Sequence, residues 1–298
     1  MAADAIASLT KFTDFDSALK ILNSRSLRWS SPVQFSDPFE PDHRVIGFNQ
    51  EMFLQAVIKR AVSMLFSREE PTGRSHRLVA AIARWRDEER FSSEDEATQV
   101  LKQLLGQMVE QNQSTIDQYL ADWQQYIRSV RVCCFCDKPG NLLAWQRYGD
   151  GHRGVALKFR VDDDTTLQKP ARINYGSTPP QVINLQEQVD IFFGYRQPTG
   201  SDELVEKLLT KSSLQKHENE WRCFRHDDTA ETDDSLLYTN VRFPSAELSA
   251  VYLGAAVSDD QRQLIVSTLT QHYPSTRLFQ AQALADRYEL NFAQVQLR

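Results

Sequence analysis

The switch in hydrophobic period near position 130 constrains the fold of this chain more than any other feature. Between Phe48 and Arg128 the apolar residues recur at helical spacing: Val100, Leu101, Leu104, Leu105 and Met108, then Ile116, Tyr119, Leu120, Trp123 and Ile127. Residues three and four apart share one side of a helix, so the block predicts three or four helices, interrupted at the EEPTG stretch of 69–73. From Val130 the apolar runs turn short, β-branched or aromatic, and are separated by turn residues: VRVCCFC, GVALKF, ARINY, EWRCF and LSAVYLG. Helices are expected near Gln186–Phe193, before Lys216 and over DDQRQLIVSTLTQH, with closing strands at TRLFQAQ and YELNFAQV. The first residues read β-α-β, with LTKF, then DFDSALKILNSRS capped by Asp14 or Asp16, then LRWSSP. Together these predict an α+β fold: residues 1–47 begin the core, 48–128 form a helical insertion, and 129–298 complete the core.

Composition sets the class. With 298 residues, 41% hydrophobic and 25% charged, the chain can bury a sizeable core. A net charge of -6 gives no global field toward nucleic acid or an anionic membrane, although a local basic groove is compatible with it. No run reaches the ~20 apolar residues of a membrane span. The start, MAADAIASLTKF, is broken by Asp4 and Lys11 and does not read as a secretory leader. Three of the four cysteines fall in CCFC and the fourth is Cys223, which is neither a disulfide framework nor a paired C-x-x-C zinc pattern. A reducing cytoplasm is the expected setting.

Four stretches carry groups able to do chemistry. In SSPVQFSDPFEPDH, residues 30–43, Pro38 and Pro41 exclude regular structure and leave Asp37 and Glu40 on a stiff loop. The plainer expectation is an Asx turn at Asp37, with Phe35 and Phe39 pinning the loop to the core. In NLLAWQRYGDGHRGVALKF, residues 141–159, helical spacing puts Leu142, Trp145 and Tyr148 near one face before a sharp turn into a strand. The phenol of Tyr148 and the imidazole of His152 stand at that corner. Tyr148 or Trp145 could stack on a planar ligand such as nicotinamide or adenine, whereas an aromatic at helical spacing is more often core.

The third stretch is HENEW, where Glu218 and Glu220 lie two positions apart. In an extended segment both side chains face one side while Asn219 and Trp221 face the other. Two such carboxylates repel, and one pKa is expected to rise. A solvated pair neutralised by Lys216 and Arg222 is the plain alternative; Trp221 and Phe224 favour a pocket edge. Fourth, alternation along CCFC puts Cys134 and Cys136 on one face and Cys133 and Phe135 on the other. Buried thiols acting as small hydrophobes are the expected state. A zinc site with Cys223, His217 or His226 lacks ligand spacing, and a cysteine nucleophile paired with His152 or His217 has equally little support.

Taken in order, LTKF, LRWSSPVQFSDPFE, VCCFC, LLAWQRYGDGHRGVALKF, INY, KSSLQKHENEWRC and AVYLG resemble an uncharacterised, mainly bacterial family, domain of unknown function 2971. The DPFE, W-x-x-Y-x-x-x-H-x-G and E-x-E-W-R pieces carry the resemblance. The order of parts is also similar, more distantly, to the ADP-ribosyltransferases, which cleave NAD. Lys11 stands where those enzymes have Arg or His on the first strand, Cys134 and Cys136 where serine or threonine is usual, and ENE resembles the E-x-E of arginine-modifying members.

This second resemblance implies a mixed, split β-sheet core and NAD as substrate, with a macromolecule or water as acceptor. It implies that Glu220 grips a ribose hydroxyl, that Glu218 orients the acceptor or takes its proton, and that Lys11 holds a ribose or pyrophosphate oxygen. Trp145 or Tyr148 would stack on the nicotinamide, with Cys136 and His152 beside them. Two other classes compete: a nuclease or phosphoesterase with Asp37, Glu40, Glu218 and Glu220 around Mg²⁺, and a binding module whose helical block docks a partner.

Overall fold

A computed structural model of the chain describes residues 6–37, 39–40, 48–67, 76–179, 181–197, 201–226 and 237–297. Pro38, Pro41 and the EEPTG stretch lie outside the described residues. The chain is α+β with a mixed sheet, and it divides into two compact units, one of residues 1–40, 128–178 and 209–298, the other of residues 41–127 and 179–208. The helical unit is thus built from two stretches, not from the single insertion over 48–128 that the periodicity predicts.

The first unit opens with β1 (Ser8–Thr13), α1 (Phe15–Ser24) and β2 (Ser26–Ser30). Asp14 caps α1 by accepting the Ser17 N–H at 2.8 Å, and the helix ends where Arg25 turns left-handed. In the helical unit α2 (Gln50–Phe66), α3 (Arg77–Asp87) and α4 (Glu94–Ser129, its last two residues in the sheet unit) follow. Leu101, Leu105 and Val109 of α4 pack in one apolar cluster with Val57, Ala61 and Leu65 of α2 and Val79 and Ile82 of α3. Val100, Leu104 and Met108, read in the sequence as part of that stripe, are exposed instead. Four-residue steps hold one helix face, and the three-residue neighbours fall outside it.

The sheet unit resumes with β3 (Val130–Cys136), α5 (Leu142–Arg147), β4 (Val155–Arg160), β5 (Ala171–Arg172) and β6 (Asn174–Gly176). α6 (Leu185–Phe192) and α7 (Ser201–Lys207) belong to the helical unit, where Val189 joins its apolar cluster. The chain ends with β7 (Thr210–Ser212), β8 (Glu220–His226), β9 (Tyr238–Arg242), β10 (Leu248–Leu253), α8 (Asp259–His272), β11 (Arg277–Ala283) and β12 (Leu290–Val295). A capping box of Ser258 and Gln261 starts α8. Among the described residues no helix is long and apolar enough to cross a membrane.

The large sheet runs β12-β11-β10-β4-β1-β3-β2-β9, with β8 on β3 and β5 on β8; β10 and β11 are parallel and the other pairs antiparallel. Strand alternation gives it two buried faces. Leu9, Leu157, Phe159, Val251 and Leu253 meet α1 and α8 residues such as Leu22 and Ile265 in the main core. Phe12, Ala156, Ala250 and Tyr252 collect on a second cluster with Ala144 and Trp145 of α5. Each buried Leu or Phe here contributes about 1.5–3 kcal/mol by leaving water. The sheet is weakest in its middle: β1 meets β3 only at Thr10 and Cys136, and β2 meets β3 only at Ser30 and Val132, whereas β3 pairs with β8 along its whole length.

Candidate functional site

A cavity of about 570 Å³, within the size range of small-molecule sites, lies beside that single β1–β3 pair. β1 brings Thr10 and Lys11 to it, β3 brings Cys134 and Cys136, and β8 brings Glu220 and Arg222. The pairing explains the placement, because Cys136 is opposite Glu220 and Cys134 opposite Arg222, on the sheet face away from Cys133, Trp221 and Cys223. Lys11, one residue past the pair, donates to the Cys134 carbonyl at 3.1 Å and lies 5.5 Å from the centre of the Phe135 ring. No carboxylate ion pair reaches Lys11 among the described residues.

Glu218 and Glu220 do share one site, but not because they share one strand. Glu218 closes the 3-10 turn Ser213–Glu218, Asn219 turns left-handed at φ 46, and β8 begins at Glu220. What brings the carboxylates together is Lys211 on β7, whose ammonium donates to Glu218 Oε2 at 2.8 Å and to Glu220 Oε2 at 2.9 Å. Arg222 takes the other Glu220 oxygen at 2.7 Å and grips Glu40 with both terminal nitrogens, at 2.6 and 3.1 Å. Glu218 Oε1 receives Arg147 at 2.6 Å and the Tyr148 hydroxyl at 3.0 Å. Asn141, which caps α5 by accepting the Ala144 N–H, also donates to the carbonyls of His217 and Glu218 and so ties α5 to this turn.

The electrostatics follow from these contacts. Burial works against ionisation of Glu220, yet Arg222 and Lys211 overcome it and hold the carboxyl down at about 2. The rise expected for one member of a repelling pair is therefore not what Glu220 shows: buried cations take up the repulsion. Burial would lower Lys211, and Glu220 and Glu218 raise it instead. Burial pushes the Cys136 thiol up to about 12 with the help of Glu220 and Glu218, and raises Cys134 in the same way. Neither is poised as a nucleophile. Burial, then the Glu218 carboxylate, also raises the Tyr148 phenol, which stays a hydrogen-bond donor.

Of the residues expected at a site, Lys11, Cys136, Tyr148, Glu218 and Glu220 line this cavity. Trp145 and His152 do not. Trp145 is fully buried, packs edge-on against Phe12 at 5.1 Å and donates its indole N–H to Pro139, so it has no face left to offer a ligand. His152 stacks on Trp145 at a left-handed corner, φ 70, and its carbonyl accepts the Ala256 N–H. Tyr148, three residues from Trp145, is 45% exposed. Asp37 makes the expected Asx turn with the Phe39 N–H, and Phe35 lies 5.0 Å over Arg222, but Phe39 is exposed rather than pinned to the core.

Sequence reasoning placed Arg222 beside the doublet, as a partner of a solvated pair, and missed Lys211 and Arg147. Arg222 is two residues from Glu220 on one strand, so alternation puts the two on one face. Lys216, the expected partner, is exposed, and the true partner Lys211 sits across a 3-10 turn that spacing does not reveal. Of the four carboxylates in the Mg²⁺ arrangement, Glu40, Glu218 and Glu220 are each bonded to Arg222, Lys211 or Arg147, and Asp37 accepts from Gln215 at 2.7 Å. Among the described residues no group of three or more His, Cys, Asp or Glu is arranged to hold a metal. No family model matches the chain, and neither does any curated protein or solved structure.

Proposed function

We propose that the protein is an NAD-using enzyme of the ADP-ribosyltransferase type, a transferase or NAD glycohydrolase that cleaves the bond between nicotinamide and ribose. We group it with domain of unknown function 2971 on its motifs, and read the narrow β1–β3 join as the split of that enzyme class's sheet. One observation carries the reading: the two carboxylates of ENE sit in one cavity with the first-strand lysine, Lys11, and the phenol of Tyr148.

The chemistry accounts for the pair. As the C–N bond breaks, its electrons leave with nicotinamide, which becomes neutral, and positive charge develops on the ribose. An ionised carboxylate fixed beforehand stabilises that charge without reorganising, and Glu220 is such a group. Glu218, nearer the exposed Tyr148, orients the acceptor and receives its proton as the acceptor bonds to the ribose carbon. Lys11, which has no carboxylate ion pair among the described residues, holds a ribose or pyrophosphate oxygen as a point charge. Tyr148 offers the stacking surface that Trp145 lacks.

The test is release of nicotinamide from NAD by the purified chain, followed by chromatography, with and without a chelator. Release that persists with chelator is the expected result. No release from NAD, with water or with added protein or nucleic acid as acceptor, overturns the reading.

A further inference from the structure

We propose that Lys211 is the positioning residue of this site: seated between Glu218 and Glu220, it lets the two carboxylates stand side by side as a double anion instead of sharing a proton. The catalytic consequence rests on the NAD-cleavage reading above; the assignment itself rests on geometry.

The geometry is specific. The Lys211 side chain is 8% exposed, and its ammonium is within 2.9 Å of one oxygen of each carboxylate, with Glu40 at 3.8 Å. Its backbone is fixed by β7 pairing with β6, where Lys211 is opposite Tyr175, and the Tyr175 hydroxyl accepts the Glu220 N–H at 2.8 Å. The lysine and the strand start it serves are thus both held by Tyr175.

The surrounding groups do not duplicate it. Arg222 on β8 bonds to Glu220 and Glu40, and Arg147 at the end of α5 bonds to Glu218; neither is bonded to both members of the pair. Lys11 on β1 faces Glu220 and, among the described residues, forms no ion pair with it, and Tyr148 and Tyr175 supply only hydroxyls. Cys134 and Cys136 on β3 face the same carboxylates as raised, protonated thiols. Without Lys211, two carboxylate oxygens would face one another with no cation between them, the situation in which one of a pair takes up a proton.

The test compares Lys211→Met and Lys211→Arg with the unaltered chain, using ¹³C NMR of glutamate carboxyl carbons against pH and the pH profile of NAD cleavage. In Lys211→Met a new carboxyl titration appears between about pH 5 and 8; it is absent from Lys211→Arg, which keeps the charge. For the same variant kcat falls about tenfold or more, with its acid limb moved upward, while KM for NAD changes less than about threefold; Lys211→Arg recovers part of the loss. Titration of Lys211→Met identical to the unaltered chain overturns the proposal whatever the activity. If Lys211→Met does not fold, Lys211→Arg decides, and a new titrating carboxyl there overturns it. The expected titration with no NAD cleavage in any of the three proteins sustains Lys211 and defeats the glycosyl reading alone.

Discussion

Glu247 and Glu220 are both buried carboxylates of the sheet unit, 3% and 6% exposed, and they are held by different means. Glu247, in the 3-10 turn before β10, puts one oxygen on Thr166, accepting the backbone N–H at 3.0 Å and the hydroxyl at 3.2 Å. Among the described residues it forms no ion pair. Glu220 is gripped by Arg222 and Lys211, each of which is also bonded to a further buried glutamate. Glu247 shows that this fold can seat a carboxylate as a local staple between two turns with neutral donors alone. The cavity concentrates charges whose desolvation opposes their attraction, and apolar residues of the same volume often stabilise a fold as well or better. Stability alone therefore does not account for the cavity network, and the NAD-cleavage proposal gives its anchored carboxylates a task in a reaction that develops positive charge.

The comparison breaks most readily at Arg222. Replacing it by Met leaves Glu40 and Glu220 buried with half their partners gone, and unfolding in urea is expected to show a loss of about 3–5 kcal/mol. A loss under about 1 kcal/mol would mean the network is solvated and resembles a surface pair.

Glu220→Gln keeps the shape and removes the charge. NAD cleavage is expected to fall at least about 100-fold, about 3 kcal/mol of transition-state stabilisation, in a chain that still folds. Turnover within about threefold of the original would return Glu220 to the structural class that Glu247 represents.

Acid sharpens the contrast by acting on the same carboxylate. The folded-state carboxyl of Glu220 is held at about 2, below the ~4.3 of an unfolded chain. A depressed carboxyl contributes stability fully above its unfolded pKa and loses it as pH falls toward its folded one. The urea midpoint should therefore drop between about pH 5 and 2, with up to about 3 kcal/mol traceable to this group. That part of the slope should be missing from Glu220→Gln; an unchanged slope would show that other groups drive acid unfolding.

How far the sequence carried this picture depends on whether the deciding contact is local. Periodicity found the helices and most strands because alternation and helical spacing act within one element; β9 escaped, since YTNVR carries too few apolar residues to show a buried face. The ENE pair was legible as a doublet, and its address in a cavity with Lys11 was an expectation that only the resemblance to ADP-ribosyltransferases carried. Of its compensation only Arg222 was legible. Lys211 and Glu40 reach Arg222 and the doublet through a turn and a loop, and no local rule predicts such contacts. Trp145 and Tyr148 read alike because both are aromatic at helical spacing; only the packing of α5 against Phe12 separates the buried ring from the exposed one.

The smallest effect is expected at Glu247 itself. Glu247→Gln retains the oxygen that accepts both Thr166 donors and removes a buried charge, while introducing an amide N–H where Oε2 has no partner among the described residues. The gain from removing the charge and the penalty for the unpaired donor oppose each other, so stability should change by no more than about 1 kcal/mol in either direction. NAD cleavage should stay within about twofold, because the turn at Thr166 lies outside the residues lining the cavity. A loss as large as that at Arg222 would show that any buried carboxylate of this sheet is equally critical to the fold, and the contrast between staple and network would lose its force as evidence for a reactive site.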